Sequence, residues 1–462
     1  MTQCILWMEW SKAFSCLRGA FSRQTTFLWM MIVCAGMSIR TDLRGISSIV
    51  NALGLTSSSY DCLRKFFHSE AINLDKLREL WVVSCLYLFR PACIDGFMVL
   101  HADGIKIPKE GKKMPAVKCM HQQSQSNSKA EFIMGHFLQA ASLAVVNNQS
   151  KISSIPLTAE IHDGVVFSNR SRSTTNTRFC KMVKTISSSA EIPAIVVADA
   201  YYSVKKVICD LTQERIELVS RVAHNTSAHY PAVQAKKRKR GRPRIKGEKV
   251  KLNSFFSQFD EIATEYRDSR YYCIDLYWQN AGRLIRFVLV ESPKGRAILM
   301  TTKMDLSPET VIDLYKSRWL IETGFKQAIH TVGTFNYHFW MKAMKPIKRG
   351  QSKQYLHRES AEYRNNITKK MKAFHVHIMA GCITQGLLQY LAINFKDQVW
   401  SSFKGWLRTI NNSIEPSELV VSNALRTSLT NFIGAKQRES DWVKFMAERT
   451  DTTREGPLAK VG

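Results

Sequence analysis

The sequence has no pair of cysteines at the C-x-x-C spacing; its 11 cysteines are scattered singly from Cys4 to Cys382. Zinc ribbons need such closely spaced ligands, and an odd number of cysteines does not suit a disulfide framework. We therefore expect reduced thiols in a cytoplasmic protein. Cys119 and His121 form only an isolated pair, and two ligands do not make a metal site.

The sequence also lacks a long hydrophobic run. The longest apolar stretch runs from Thr26 to Met37, which is too short to span a bilayer and is typical of a core helix. The first residues mix apolar side chains with Glu9, so no signal peptide is predicted. We expect a protein without a membrane segment.

Acidic residues are scarce relative to basic ones. Against 66 Lys and Arg stand 38 Asp and Glu, which gives a formal net charge of +28. Apolar residues make up 45% of the chain, which indicates a globular protein. The length of 462 residues is enough for more than one domain. Such a charge favours a partner with dense negative charge, such as nucleic acid. The alternative is a cytoplasmic protein that is merely basic.

Residues 1–90 have apolar side chains at spacings of three and four, which predicts helices. Within them, residues 45–55 read as a short helix with a glycine turn, and residues 56–68 as a second helix with a polar start. This pattern resembles a helix-turn-helix, so residues 1–90 are a candidate DNA-binding region. Any helical hairpin with a glycine turn would look the same, and both interpretations stay open.

Residues 91–224 have the pattern of an α/β segment, in the order three strands, helix, strand, helix, strand. The strands are predicted at 97–102, 132–146, 152–161, 194–198 and 215–222. The first runs into Asp103 and a turn, and the fourth ends in Asp199. If these two strands are neighbours, both carboxylates lie at one edge of the sheet, where reactive groups gather in α/β proteins.

The remaining chain divides into three predicted regions. Residues 225–305 are a basic, β-rich insertion with alternating stretches on either side of Gly282. Ser307, Pro308 and Glu309 are a strong helix start, and residues 306–340 are predicted to hold a helix that carries Glu322. Residues 341–462 are predicted to be helical, with a basic stretch before an apolar helix at 374–393.

Helical spacing brings four side chains to one face of the predicted helix. At about 100° per residue, Tyr315, Arg318, Glu322 and Lys326 fall within roughly 80°. A phenol, a guanidinium and a carboxylate on one face suit a site that holds phosphate beside a metal ion.

Asp103, Asp199 and Glu322 are the candidate catalytic and metal-binding residues. Three carboxylates brought together repel one another unless a cation lies between them. Oxygen-only ligands favour Mg²⁺ or Mn²⁺. Two such ions about 3.5–4 Å apart can activate an attacking hydroxyl and stabilise the leaving oxygen at a phosphodiester.

These residues resemble the DDE transposases of bacterial insertion sequences, in the group with a Tyr-x2-Arg-x3-Glu-x6-Lys signature. Tyr315, Arg318 and Glu322 match it, and the segments around Asp103 and Asp199 resemble the first and second acidic motifs. The resemblance covers about residues 95–335 and implies an α/β fold: an RNase H-like catalytic core, residues 91–224 being its first part, flanked by helical N-terminal and C-terminal regions.

The resemblance also implies a function: cleavage of transposon ends by metal-activated water, and strand transfer to target DNA. A homodimer on paired ends, with Tyr315 and Arg318 on phosphates, would follow. The gap of 322 − 199 = 123 residues leaves room for the insertion. One departure stands out, because the signature places lysine at 329 and this chain has Ile329. Lys326 lies on the same predicted face and is a candidate substitute.

Two further features bear on DNA binding. Arg240 and Arg242 flank Gly241 in a pattern that resembles an AT-hook, which lies in an A·T minor groove. The alternative is a phosphate-binding loop without base preference. Trp278 in the insertion is a candidate for stacking on an unpaired base, with core packing as its alternative.

Two other functions remain compatible with the sequence. A transposase-derived DNA-binding protein would keep the positive charge but have impaired catalysis, and Ile329 favours it. An RNase H-like nuclease would cut without strand transfer. The three intact acids argue against the first.

Overall fold

The computed structural model describes residues 2–43, 45–122, 130–170, 173–232, 244–408, 410–436 and 439–453. The chain forms two compact units, each assembled from separate segments. The first unit comprises Met1–Pro91, Gly104–Arg172 and Glu322–Gly462, and the second comprises Ala92–Asp103 and Ser173–Ile321.

The described chain contains both helices and strands. The α-helices are α1 (Thr2–Ser15), α2 (Gln24–Ile39), α3 (Ile46–Ala52), α4 (Ser58–Phe67), α5 (Leu74–Leu88), α6 (Thr175–Ala190), α7 (Lys205–Thr212), α8 (Phe259–Ile262), α9 (Pro308–Ser317), α10 (Trp319–Gln327), α11 (Ala361–Asn394), α12 (Lys396–Ser402), α13 (Glu418–Lys436) and α14 (Asp441–Ala447). The strands are β1 (Cys93–Ile94), β2 (Phe97–Pro108), β3 (Lys118–His121), β4 (Phe132–Val146), β5 (Ile152–Ile161), β6 (Val165–Val166), β7 (Ala194–Ala198), β8 (Ile216–Val222), β9 (Ser227–Pro231), β10 (Lys246–Lys251), β11 (Thr264–Tyr266), β12 (Ser269–Trp278), β13 (Arg283–Ser292), β14 (Gly295–Thr301) and β15 (Gln354–Tyr355).

The first unit is built around the long helix α11. Ser360 caps its start, because the Ser360 hydroxyl accepts a hydrogen bond from Tyr363 N at 3.1 Å. Helices α2, α5 and α13 and strand β5 pack against α11. The helix is long and apolar enough to cross a membrane by length and composition, but 89% of its most apolar window is buried in the protein. It therefore has the placement of a core helix.

Helix α11 begins 374 − 361 = 13 residues earlier than the sequence predicts. Its first turns are polar, so hydropathy locates only the buried part of the helix. The helices predicted before residue 90 are present as α1 to α5. Helices α3 and α4 match the predicted short helix and second helix, while their use in DNA binding stays a prediction.

The second unit contains a mixed sheet. Its strand order is β10-β9-β12-β13-β14-β8-β7-β2. Strands β2, β7 and β8 are parallel neighbours, and the strands from β14 to β10 pair in antiparallel fashion. The predicted β-rich segment is present, since β12 and β13 form a hairpin in which Gly282 has a φ of +71°. Helix α9 packs on β7, β8, β13 and β14.

One boundary near the first candidate acid differs from the prediction. Strand β2 does not turn at Asp103 but continues through Ile107 to Pro108. Only its first half, up to Ala102, pairs with β7. Asp103 and Gly104 after the apolar run suggested a turn, whereas the alternation of polar side chains with Ile105 and Ile107 is equally typical of a half-buried strand.

Candidate active site

Asp103 and Asp199 occupy equivalent positions on two neighbouring parallel strands. In the β2–β7 pair, Ala102 lies opposite Ala198, and each is followed directly by one of the two aspartates. Neighbouring strands lie about 4.8 Å apart, so the two residues lie at the same level along the two strands. The sequence-based condition that these strands be neighbours is met. β7 is buried throughout and ends at Ala198, so Asp199 begins the loop.

Arg318 holds the Asp103 carboxylate. Arg318 Nη1 donates a hydrogen bond to Asp103 Oδ2 at 2.7 Å. The two side chains are only 17% and 19% exposed, so this charge-assisted bond is shielded from water. The Arg318 guanidinium also lies 5.9 Å from the centre of the Tyr315 ring. Two residues of the predicted signature therefore lie beside the first acid.

The helix that supplies Arg318 is not continuous, contrary to the sequence prediction. Helix α9 ends at Ser317, and α10 begins at Trp319. Arg318 N bonds to Tyr315 O, and Ile321 N to Arg318 O, which are the tighter i→i+3 bonds of a 3₁₀ turn. The Ser317 hydroxyl donates to Leu314 O at 2.6 Å and competes with the helical backbone pattern. The prediction of one continuous helix from Pro308 through Glu322 is therefore wrong.

His101 ties the strand to the end of α9. It is fully buried on β2, and its Nε2 lies 2.8 Å from the Ser317 hydroxyl. Because that hydroxyl donates its proton to Leu314 O, we assign the proton of this bond to His101 Nε2. Burial lowers the pKa of His101 to about 4, with a smaller contribution from the Arg318 charge. His101 is therefore neutral at physiological pH and positions the helix end.

The charge of a second guanidinium, Arg221, acts on this group. Burial raises the pKa of Tyr315; the charge of Arg318 opposes this increase, that of Asp199 adds to it, and that of Arg221 opposes it. Arg221 follows Ser220, which pairs with Ala198 and donates its hydroxyl proton to Asp199 O at 3.0 Å.

Sequence reasoning missed three members of this group: Arg221, His101 and Ser317. Arg221 lies near the end of the strand predicted at 215–222, and this position could have singled it out. His101 and Ser317 carried no such signal, because only the fold pairs a strand histidine with a helix-end serine.

Glu322, Lys326 and Ile329 belong to the first unit. Glu322 and Lys326 are both exposed on α10. Ile329 is half-buried in a π-helical turn, Ala328–Val332, that follows α10. The α-helical spacing that places the signature lysine at 329 therefore ends at Gln327.

The DNA-contact predictions in the insertion have separate outcomes. Trp278 is only 4% exposed, and its ring packs edge-on against Phe287 at 5.9 Å. The base-stacking interpretation is therefore wrong for this side chain, and the packing alternative describes it. Arg240 and Arg242 lie outside the described residues.

The pair of aspartates suits a hard divalent cation. Both supply only oxygen ligands, and their strands place them at one level. In this structure the Arg318 guanidinium is the cation at the Asp103 carboxylate. Over the described ranges, no group of three or more His, Cys, Asp or Glu side chains forms a metal site. The three-acid ligand set stays a prediction.

A comparison with known families identifies part of the chain. Residues 156–333 match the family model described as Transposase DDE domain. The match includes Asp199, Tyr315, Arg318 and Glu322 and begins after Asp103. No curated protein matches the chain. The mixed α/β architecture is consistent with this family. The sequence-based recognition is confirmed at this level: residues 156–333 match the model of a transposase DDE domain.

Proposed function

We propose that the chain is a DNA transposase that cleaves transposon ends and joins them to target DNA. The observation that carries the proposal is the paired position of Asp103 and Asp199, with Arg318 bound to the first acid. A transposase DDE domain implies a nuclease activity connected with transposition and a DNA partner. The net charge of +28 supports a polyanionic partner.

In this proposal Asp103, Asp199 and Glu322 would hold Mg²⁺ or Mn²⁺, and the catalytic core would be RNase H-like. When bound, the ions supply charge stabilisation and an activated oxygen nucleophile at the phosphodiester. The chain's own residues position the DNA. Arg318 and Tyr315 steady phosphates, with Lys326 as a further cation.

Arg221 would extend this phosphate-holding group. It is exposed and its charge acts on Tyr315, while Arg318 already donates one hydrogen bond to Asp103. An exposed guanidinium beside a carboxylate edge can approach a phosphate without first breaking a buried ion pair. His101 acts indirectly, because its hydrogen bond to Ser317 fixes the helix end from which Arg318 projects.

The experiment is an incubation of the full chain with DNA that carries the terminal inverted repeats flanking its gene, together with Mg²⁺ and a supercoiled target plasmid. The proposed function predicts cut ends and joined products, both absent when EDTA replaces Mg²⁺. Cut ends without joined products would identify a nuclease. End binding without cutting would identify a transposase-derived DNA-binding protein.

A further inference from the structure

A cleft lies in the first unit, on the side of the N-terminal helices. Its volume is about 240 Å³, and it is lined by α3, α4, the segment 337–340 and α11. Tyr60 and Trp340 line it and are 44% and 66% exposed. The described lining contains no acidic side chain.

The cations of this cleft have few partners that would offset their charge. Lys370 Nζ donates one of its three N–H groups to His68 Nε2 at 2.7 Å, which leaves donors for a ligand. Burial lowers the pKa of Lys370, and the nearby Arg64 charge lowers it further. Arg64 pairs with Asp61 at 3.1 Å, where both side chains are more than half exposed, so this ion pair is weak. An anion in the cleft would relieve the repulsion between Lys370 and Arg64.

A buried polar atom in the same cleft points to a ligand that donates a hydrogen bond. His377 lines the cleft and is fully buried, and its Nδ1 pairs with Thr334 O at 3.1 Å. Because a carbonyl only accepts, Nδ1 carries the proton and Nε2 is an acceptor. Among the described residues, nothing hydrogen-bonds to His377 Nε2. A buried acceptor without a partner costs stability unless a donor binds there.

The chain that follows the cleft residues 337–340 favours a polymer over a small anion. Residues 342–372 hold ten Lys or Arg and two Glu. Such a basic segment next to the cleft suits the continuous phosphate backbone of nucleic acid.

We propose that this cleft binds a single unpaired nucleotide of DNA, with its phosphate at Arg64 and Lys370 and its base against Tyr60 and Trp340. Each of the four bases carries an N–H group that can donate to a buried acceptor. Aromatic stacking suits any base, so no sequence preference follows. The inference rests on the proposed DNA substrate, but it uses none of the three acids.

The test measures binding of the full chain to labelled duplex DNA in EDTA, so that cleavage plays no part. Three probes are compared: one unpaired nucleotide, an abasic site at the same position, and full pairing. The wild type should bind the first about tenfold more tightly than the other two. Arg64→Gln with Lys370→Gln should remove this preference.

The adjacent residues provide a matched control. Lys65→Gln with Lys369→Gln removes the same charge from α4 and α11 but outside the cleft lining, and the preference should persist. If the cleft double variant fails to fold, Trp340→Ala should remove the preference and Trp406→Ala, which is 83% exposed, should not.

Equal binding of the three probes by the wild type would overturn the proposal. So would equal loss in the cleft and control variants. Either result leaves the cleavage assay of the proposed function untouched, and a failed cleavage assay leaves this binding test valid.

Discussion

Arg318 Nη1 lies 2.7 Å from Asp103 Oδ2, across 215 residues of sequence. The bond joins the end of α9 to strand β2 at the level where β7 ends in Asp199. The Arg318 guanidinium thereby offsets the negative charge of the Asp103 carboxylate. Removing either partner leaves a charge of which less than a fifth is exposed.

Thermodynamic coupling between these two side chains should be measurable. Arg318→Gln and Asp103→Asn should each lower the free energy of unfolding by about 1–3 kcal/mol. The double variant should lose clearly less than the sum, because the two side chains share one hydrogen bond that can be lost only once. The measurement is a double-mutant cycle by denaturant unfolding, without divalent metal.

The exposed pair Arg267–Asp313 is a matched control in the same unit. Its atoms lie 3.1 Å apart with side chains 62% and 38% exposed, so the same cycle should be close to additive. Additivity at Arg318 and Asp103 as well would show that their contact contributes nothing.

Stability should fall in mildly acidic solution in a way that depends on His101. Its folded pKa of about 4 lies below the ordinary 6.5, so the unfolded chain binds more protons between these values. The contribution of His101 to the free energy of unfolding is fully present above pH 6.5 and is lost as the pH falls toward 4. The difference between these two pKa values corresponds to at most about 3.4 kcal/mol.

His101→Gln keeps an amide donor but cannot be protonated in this range. Its stability should therefore decrease less between pH 6.5 and 4 than that of the wild type, as followed by urea unfolding at each pH. His121→Gln, at a side chain 51% exposed, should retain the wild-type slope. Identical slopes for all three proteins would contradict the role assigned to His101.

The close packing of the core helix α11 at Gly386 predicts that a larger side chain there lowers stability. A Cβ at Gly386 would collide with the ring of Trp81, which is fully buried and held by a bond from its Nε1 to Pro156 O. Gly386→Ala should lower stability by about 1–3 kcal/mol. Gly324→Ala, where the nearest atom is Gln385 Nε2 at 3.9 Å, should be neutral or stabilising. The measurement is the thermal unfolding midpoint of the two variants. Equal midpoints would contradict the close packing of Gly386 against Trp81.

Sequence patterns predicted one of the two strands beside the candidate site correctly. Strand β7 is five buried residues followed by Asp199, and such a run identifies both the strand and its end. The predicted strand boundary at Asp103 was wrong, because the run of apolar residues ends at Ala102 while the strand continues to Pro108.

The sequence could not predict the helix break at Arg318 or the burial of Trp278, for a different reason. Helical periodicity continues across residues 315–326, and only local hydrogen bonds of Ser317 and Arg318 interrupt it. An alternating strand shows which side chains share a face, but not which face is covered. Trp278 lies on the covered face beside Phe287.

The most direct test of the central claim is cleavage of end DNA in Mg²⁺ by Asp103→Asn, Asp199→Asn and Glu322→Gln. Each should cut at least about a hundredfold more slowly than the wild type, with DNA affinity nearly unchanged. Asp260→Asn, at a carboxylate 92% exposed in the same unit as the two aspartates, should cut normally. Wild-type cutting by any of the three site variants would contradict the account.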